Sequence, residues 1–203
     1  MLFGNLDVAT LLSRLVILVI AFTVHEFSHA WTANALGDTT PEANGRLTLN
    51  PGAHLDIMGS LMLLIAGFGW AKPVPINPYA LTRRTPAGVM WVSLAGPASN
   101  FLMAMIAAIP LRLGLVPVAF TQPRALIPTP YAFLSEFIWI NLALLVFNLI
   151  PLAPLDGEKV AEYFLPPNIA RYWEAIRPYG PVILIALLFL GPMVGLDVIG
   201  RVM

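Results

Sequence analysis

Cysteine is absent from this 203-residue chain. No disulfide can form and no thiolate can hold a metal, so any metal ligand must be histidine or carboxylate. Charge is scarce as well. Charged residues make up 11% of the chain, against about 25% in a soluble domain. The 11 basic and 11 acidic side chains balance, which leaves no basic surface for nucleic acid. No internal repeat and no low-complexity linker divides the chain. What fills it instead is apolar: 58% hydrophobic residues and a mean hydropathy of +0.79. That composition is that of a membrane protein. The N-terminus, "MLFGNLDVATLL", has no basic stretch, and no small-residue cleavage site follows its apolar run. The first helix is therefore expected to be retained and not removed as a signal peptide.

A spanning helix needs about 20 mostly apolar residues. Four stretches qualify: 8–36, 88–111, 131–151 and 179–200. The stretch 56–70, "DIMGSLMLLIAGFGW", is shorter in effect, with an uninterrupted apolar core from Leu61 to Ala66 and glycines at 59, 67 and 69. As a helix that core would rise only about 9 Å, against a hydrocarbon thickness of about 30 Å. It reads as a re-entrant or half-membrane piece. The expected fold is an all-α multi-pass membrane protein with about four spanning helices, this short segment, and irregular, β-like membrane-associated loops in the Pro-, Gly- and Asn-rich connections. The chain reads as one domain over 1–203, with a core at 8–160 and an additional helix at 179–200.

The first apolar run leads into "TVHEFSHAWT" (23–32). On a helix, His25 and His29 lie one turn apart on one face, near enough to share a cation. Glu26 can reach a water on that cation, which is the logic of HExxH: two imidazole ligands and a carboxylate base. Zn2+ suits such a site, one per chain, with three protein ligands and one open position. Ionisable groups in a membrane helix cost roughly 2.5–3.5 kcal/mol each on insertion scales and are usually functional. Three within five residues are hard to account for without a ligand. Candidates for the third donor are His54, Glu136, Asp156 and Asp197. Asp156 stands just past an apolar helix, after Pro151 and Pro154, where an unwound end could turn a carboxylate inward; Gly157 lets the backbone come close.

"HEFSH", "AGPASN" (95–100) and "NLIPLAPLDG" (148–157) together resemble the site-2 protease family, peptidase M50, whose members are intramembrane zinc metalloproteases. "NPGAHLD" and "GFGWAKPVPINP" resemble its short bacterial-type branch. The resemblance runs from about residue 10 to 160. It implies His25, His29 and Asp156 as zinc ligands and Glu26 as catalytic base, with no motif residue departing from the pattern. Sensor modules carried by many members are missing from this chain. The implied substrates are transmembrane or membrane-proximal segments of other proteins, met within the lipid bilayer. A regulatory partner and the oligomeric state stay open.

Topology offers a check independent of family. His25 and His29 lie in the C-terminal half of their helix, and Asp156 follows the C-terminal end of 131–151. To meet, the two helices must run parallel, which holds if 56–70 does not cross. Loops 37–87 and 152–178 then share the active-site side. They carry Arg46, Lys72, Arg83, Arg84, Lys159, Arg171 and Arg177, against Arg14, Arg112, Arg124 and Arg201 on the other. The excess places the active site nearer the cytoplasmic side of the cell membrane.

Several further residues are candidates for shaping the site. Asn100 would bond substrate backbone or the reaction oxyanion, or else tie helices together beside Gly96, Ala98 and Ser99. Asn148 would act near the metal or cap broken backbone near Pro151. His54 would shape the substrate entrance or, as favoured, simply pair with Asp56. Glu136 is expected to face headgroups, Asp197 to pair with Arg201, and Trp70, Trp91, Trp139 and Trp173 to anchor at the interfaces. "WAKPVPINP" would offer an extended edge to a substrate or pack as a loop. Two other functions compete. A zinc transporter or sensor would spread its ligands along a path, whereas these gather at one depth. A proteolytically silent scaffold would be expected to lose Glu26 or a ligand, and this chain keeps all four residues.

Overall fold

The computed structural model describes residues 8–56, 58–59, 70–120 and 126–190. Among them every regular element is helical, and the one β contact is an isolated antiparallel bridge between Leu55 and Ala71. Among the described residues three helices are long and apolar enough to cross a membrane: α1 (Val8–Ala35), with α2 (Thr40–Ala43), α3 (Pro51–His54) and α4 (Pro78–Arg84) following it, then α5 (Gly88–Arg112) and α6 (Pro130–Asn148). At 1.5 Å per residue their 28, 25 and 19 residues extend about 42, 37 and 28 Å. α7 (Asp156–Phe164), α8 (Pro167–Ile176), a 3-10 turn (Arg177–Tyr179) and α9 (Gly180–Leu190) complete the described chain. Of the expected span 179–200, residues 191–200 lie outside the described residues, as does most of the expected short segment 56–70. The expected pairing of Asp197 with Arg201 lies outside them too.

Apolar residues lie on both the buried and the exposed sides of α1, so hydropathy marks its inner face poorly. Ala9, Ser13, Ile17, Ala21, His25, His29 and Ala33 recur every four residues and are all buried. Val8, Leu12, Val16 and Ile20 form a parallel ridge on the exposed side. The inner face of α5 is likewise made of small residues, among them Ser93, Gly96, Ser99, Ala104 and Ala107. Small residues let backbones approach where lipid supplies no hydrophobic drive between helices.

Cross-helix contacts give the directions. His29 meets Val92 of α5 and His25 meets Asn100, so α1 and α5 are antiparallel. Ser13 and Arg14 meet Glu136 near the start of α6, and His25 and His29 meet Asp156 beyond its end, so α1 and α6 are parallel. Glu136 therefore turns to α1 and not to headgroups as expected: the Arg14 guanidinium, at 2.5 Å, and the Ser13 hydroxyl both donate to it. A carboxylate at this depth is more stable facing a cation than facing lipid. Trp91 stands near the start of α5, whereas Trp139 is midway along α6 and exposed, away from either end.

The connection from α1 to α5 is pinned by two buried charges. Asp38 accepts from the backbone N–H of Thr40 (3.0 Å) and of Asn77 (2.6 Å). Arg46 donates to the carbonyls of Lys72 (3.0 Å) and Pro73 (3.1 Å). These bonds pack the stretch 72–77 against the connection's earlier half. Asn77 then caps α4, accepting from Tyr79 and Ala80. Past α6, Gly157 lies where a side chain would collide with the Leu149 and Ile150 carbonyls, and Gly180 is pressed against Ala153. Arg177 donates to Glu158 at 2.6 Å and is also paired with Glu162. Burial works to lower the Arg177 pKa, but the two carboxylates outweigh it and raise it above the ordinary value. The loop and helix start that carry Asp156 are thus held from both sides.

The Arg14–Glu136 contact should couple energetically. Glu136→Leu alone should destabilise the protein, and adding Arg14→Leu should recover part of the loss. A thermal double-mutant cycle in detergent should give a coupling of about 0.5–3 kcal/mol; additive losses would mean that the ion pair does not join the helices.

Candidate metal centre

Three donor atoms meet between α1 and the start of α7. His25 Nε2 lies 3.0 Å from Asp156 Oδ2, and His29 Nε2 lies 3.3 Å from the same oxygen. All three lie within 4.8 Å of one another. The imidazole rings are 4.7 Å apart between centroids and nearly perpendicular, at 86°, so their nitrogens converge and the rings do not stack. The helical repeat supplies the pair of histidines. Asp156 arrives because α6 ends at Asn148, earlier than the 131–151 expected, and the turn that follows opens a new helix with Asp156 as its first residue.

The outer nitrogens of both rings are already engaged. His25 Nδ1 bonds to Asn100 Oδ1 at 2.6 Å and His29 Nδ1 to the Val92 carbonyl at 2.7 Å. Val92 O can only accept, so His29 Nδ1 carries the proton and Nε2 keeps its lone pair. Ligating histidines are oriented by such bonds as a rule. The Asp156 carboxylate faces both Nε2 atoms through the one oxygen, Oδ2.

Space for an ion comes from α5. A Cβ on Gly96 would stand 2.5 Å from both His25 Nε2 and His29 Nε2. Only a residue without a side chain leaves the front of the two nitrogens clear. Two imidazole nitrogens, one carboxylate oxygen and a cleared volume before them suit a divalent cation of zinc's preferences. Glu26, buried on the same turn of α1 (9% exposed), is not one of the three donors.

The other candidates fall elsewhere. Asn100 is fully buried and faces His25, with its amide nitrogen donating to Asn141 at 2.9 Å. Asn148, half-buried, donates back to the Leu144 carbonyl at 3.0 Å. His54 does not pair with Asp56. It is fully buried with Nε2 donating to the Thr48 carbonyl at 2.7 Å, while Asp56 accepts from the Gly59 N–H at 2.8 Å. His54 Nε2 and Asp56 each bond nearby backbone, His54 Nδ1 is buried without a hydrogen-bond partner among the described residues, and the favoured ion pair does not form. Sequence reasoning missed Asn141, Val92 and the clearing role of Gly96. A lone buried asparagine in the middle of an apolar helix was the one signal available for Asn141. A backbone carbonyl such as that of Val92 leaves none.

The family model described as peptidase family M50 matches residues 113–189. YwhC of Bacillus subtilis (strain 168), named provisionally as a zinc metalloprotease, is 40% identical over 177 residues, covering 87% of this chain and 79% of its own. Two proteins named provisionally as zinc metalloprotease Rip2 are also similar. That of Mycolicibacterium smegmatis is 36% identical over 176 residues, covering 84% of this chain and 64% of its own. That of Mycobacterium tuberculosis H37Rv is 35% identical over 182 residues, covering 86% and 65%. The chain thus spans just under two thirds of the Rip2 proteins. No solved structure matches it. Identity of this extent over 87% of the chain settles the family: the chain belongs to peptidase family M50.

Proposed function

We propose that this protein is a zinc endopeptidase that works inside the membrane, cutting transmembrane or membrane-proximal segments of other proteins. The observation that carries the reading is the meeting of His25 Nε2, His29 Nε2 and Asp156 Oδ2 in front of Gly96, among helices otherwise fit for lipid. His25, His29 and Asp156 hold one Zn2+, as the names of YwhC and Rip2 suggest. When bound, Zn2+ supplies Lewis acidity, making water nucleophilic near neutral pH and polarising a carbonyl. Glu26 takes a proton as water adds to the scissile carbonyl carbon. It hands that proton to the amide nitrogen as the C–N bond breaks, releasing a new carboxyl and a new amine.

The chain forms one domain over 1–203, and its active site opens nearer the cytoplasmic face of the cell membrane. Support for the sidedness is the concentration of lysine and arginine in 37–87 and 152–178. Segment 56–70 does not cross the bilayer. Support comes from the antiparallel arrangement of α1 and α5 and from the Leu55–Ala71 bridge, whose neighbour Lys72 donates to the His54 carbonyl at 2.7 Å. A segment whose flanks bond to each other leaves and returns on one side.

Glu26→Gln should keep Zn2+ while cleavage of a transmembrane peptide falls by at least about 100-fold, the lower bound for losing a general base. Metal analysis and a cleavage assay on one preparation decide this, and full activity would overturn the mechanism.

Asp156→Ala should lower Zn2+ occupancy, because two histidines alone make a weak site. Wild-type occupancy in that variant would move the third ligand elsewhere.

Gly96→Ala should weaken Zn2+ binding by more than about 100-fold, beyond what outer-shell changes cost, because its methyl group meets both ligand nitrogens. Chelator competition reads the affinity.

Single cysteines at Thr48 and at Arg83, in a chain with no other thiol, should react with an impermeant reagent from one and the same side of sealed vesicles. Labelling from opposite sides would mean that 56–70 crosses.

A further inference from the structure

We infer that Asn141, acting through Asn100, is a positioning residue that selects the tautomer in which His25 can bind metal. The inference rests on the metal-centre reading above and adds to it a residue on a third helix. The chain of bonds has only one consistent direction. Asn141 contacts the Phe137 carbonyl at 2.9 Å. A carbonyl oxygen only accepts, so the Asn141 atom facing it is the amide nitrogen. Asn141 Oδ1 therefore points the other way, towards Asn100. The Asn100 atom facing Oδ1, at 2.9 Å, is then the amide nitrogen. That leaves Asn100 Oδ1 as the atom 2.6 Å from His25 Nδ1. An oxygen without a proton requires one on Nδ1, and a neutral imidazole with its proton on Nδ1 carries its lone pair on Nε2. Nε2 is the atom that faces Asp156 and Gly96.

Asn100 and Asn141 are both 0% exposed. Water cannot compete for their amides, and a buried polar group left without its partner is costly. Reversing the Asn141 amide alone would set its oxygen against the Phe137 carbonyl and N–H against N–H at Asn100, and reversing the Asn100 amide alone would set oxygen against oxygen at Asn141. The backbone of α6 thereby fixes which nitrogen of a ring on α1 is free. His29 obtains the same result in one step, from the Val92 carbonyl of α5. The two ligands are thus set by separate helices. His25 is the one whose state can be changed without touching α5 backbone or either histidine.

Two substitutions at Asn141 separate direction from packing. Asn141→Leu keeps similar volume and abolishes both bonds, so the Asn100 amide is free to reverse. Asn141→Asp, as the neutral acid enforced by burial, can donate its O–H to the Phe137 carbonyl and accept from Asn100, preserving the direction. Zn2+ affinity of the purified full chain is measured by competition with a chromophoric chelator, and the Co2+-loaded proteins are compared by their visible ligand-field bands. Asn141→Leu should bind Zn2+ about tenfold or more weakly, within the range for outer-shell partners of ligating histidines, and should shift the Co2+ bands; Asn141→Asp should stay within about threefold of wild type with unshifted bands. If Asn141→Leu does not fold, Asn141→Ala is measured against the same expectation. Wild-type affinity in the Leu or Ala variant overturns the relay, and so does an equal loss in the Asp variant, which would make packing the cause. Should the wild-type chain take up no Zn2+, the metal-centre reading itself fails. If wild type binds and the Asn141 variants bind equally well, the relay alone fails.

Discussion

Three side chains on two separate helices must present lone pairs to one point, inside a bundle whose long helices are fit for lipid. Much of the bundle follows from that constraint. Two donors come from one helix because a spacing of four returns to the same face. The third must come from a helix running the same way, so that its end lies beside the histidines. α1 and α6 are parallel, and α5, running opposite, contacts both. α5 has two tasks, and they pull its composition in one direction. It must come close enough for Val92 O and Asn100 to reach the outer ring nitrogens, and it must leave the inner nitrogens uncovered. Small residues on its inner face, with Gly96 opposite the two rings, satisfy both.

The same logic governs the chain outside the long helices. Asp156 sits at the start of a short helix, and no regular structure joins it rigidly to α6. Its place depends on contacts made around it: Gly157 against the end of α6, Gly180 against Ala153, and Arg177 bonded to Glu158 one half-turn further on. The loop from α1 to α5 is held by Asp38 and Arg46, each satisfied by backbone groups on both sides of the connection or across it. Charged side chains that bond backbone are an economical way to hold irregular chain, because they satisfy the polar groups that helices would otherwise have paired.

How much of this was legible follows from what a sequence encodes locally. The three long helices were, to within three residues at each end, because hydropathy is local and α1, α5 and α6 are predominantly apolar. His25, Glu26 and His29 were legible as a unit because four-residue spacing is a property of one helix. Asp156 was only one of several carboxyl or imidazole candidates until the resemblance of "NLIPLAPLDG" singled it out; nothing in its own neighbours reveals which helix it turns to. Glu136 was misread for the same reason, since its partner Arg14 is 122 residues away. His54 was misread because a carboxylate two residues on looked like a partner, while its Nε2 had the Thr48 carbonyl within 2.7 Å. The inner stripe of α1 was hidden because apolar residues lie on both of its sides, although the small residues Ala9, Ser13, Ala21 and Ala33 share that stripe.

α6 carries the argument furthest. Asn141 is the one residue in it that is buried outright among the side chains described, so apolar burial does little to define where this helix sits. In lipid that is no anomaly, because apolar side chains gain little by leaving hydrocarbon for another helix. Its placement is instead specified by polar contacts spaced along its length and just beyond it: Glu136 with Ser13 and Arg14, Asn141 with Asn100, Asp156 with the two histidines. Each is directional, and each would be lost by a rotation of one residue, about 100° on a helix. The polar groups that look most costly in a membrane helix are therefore the ones that give α6 a single register. The last of them places a carboxylate oxygen 3.0 Å from His25 Nε2.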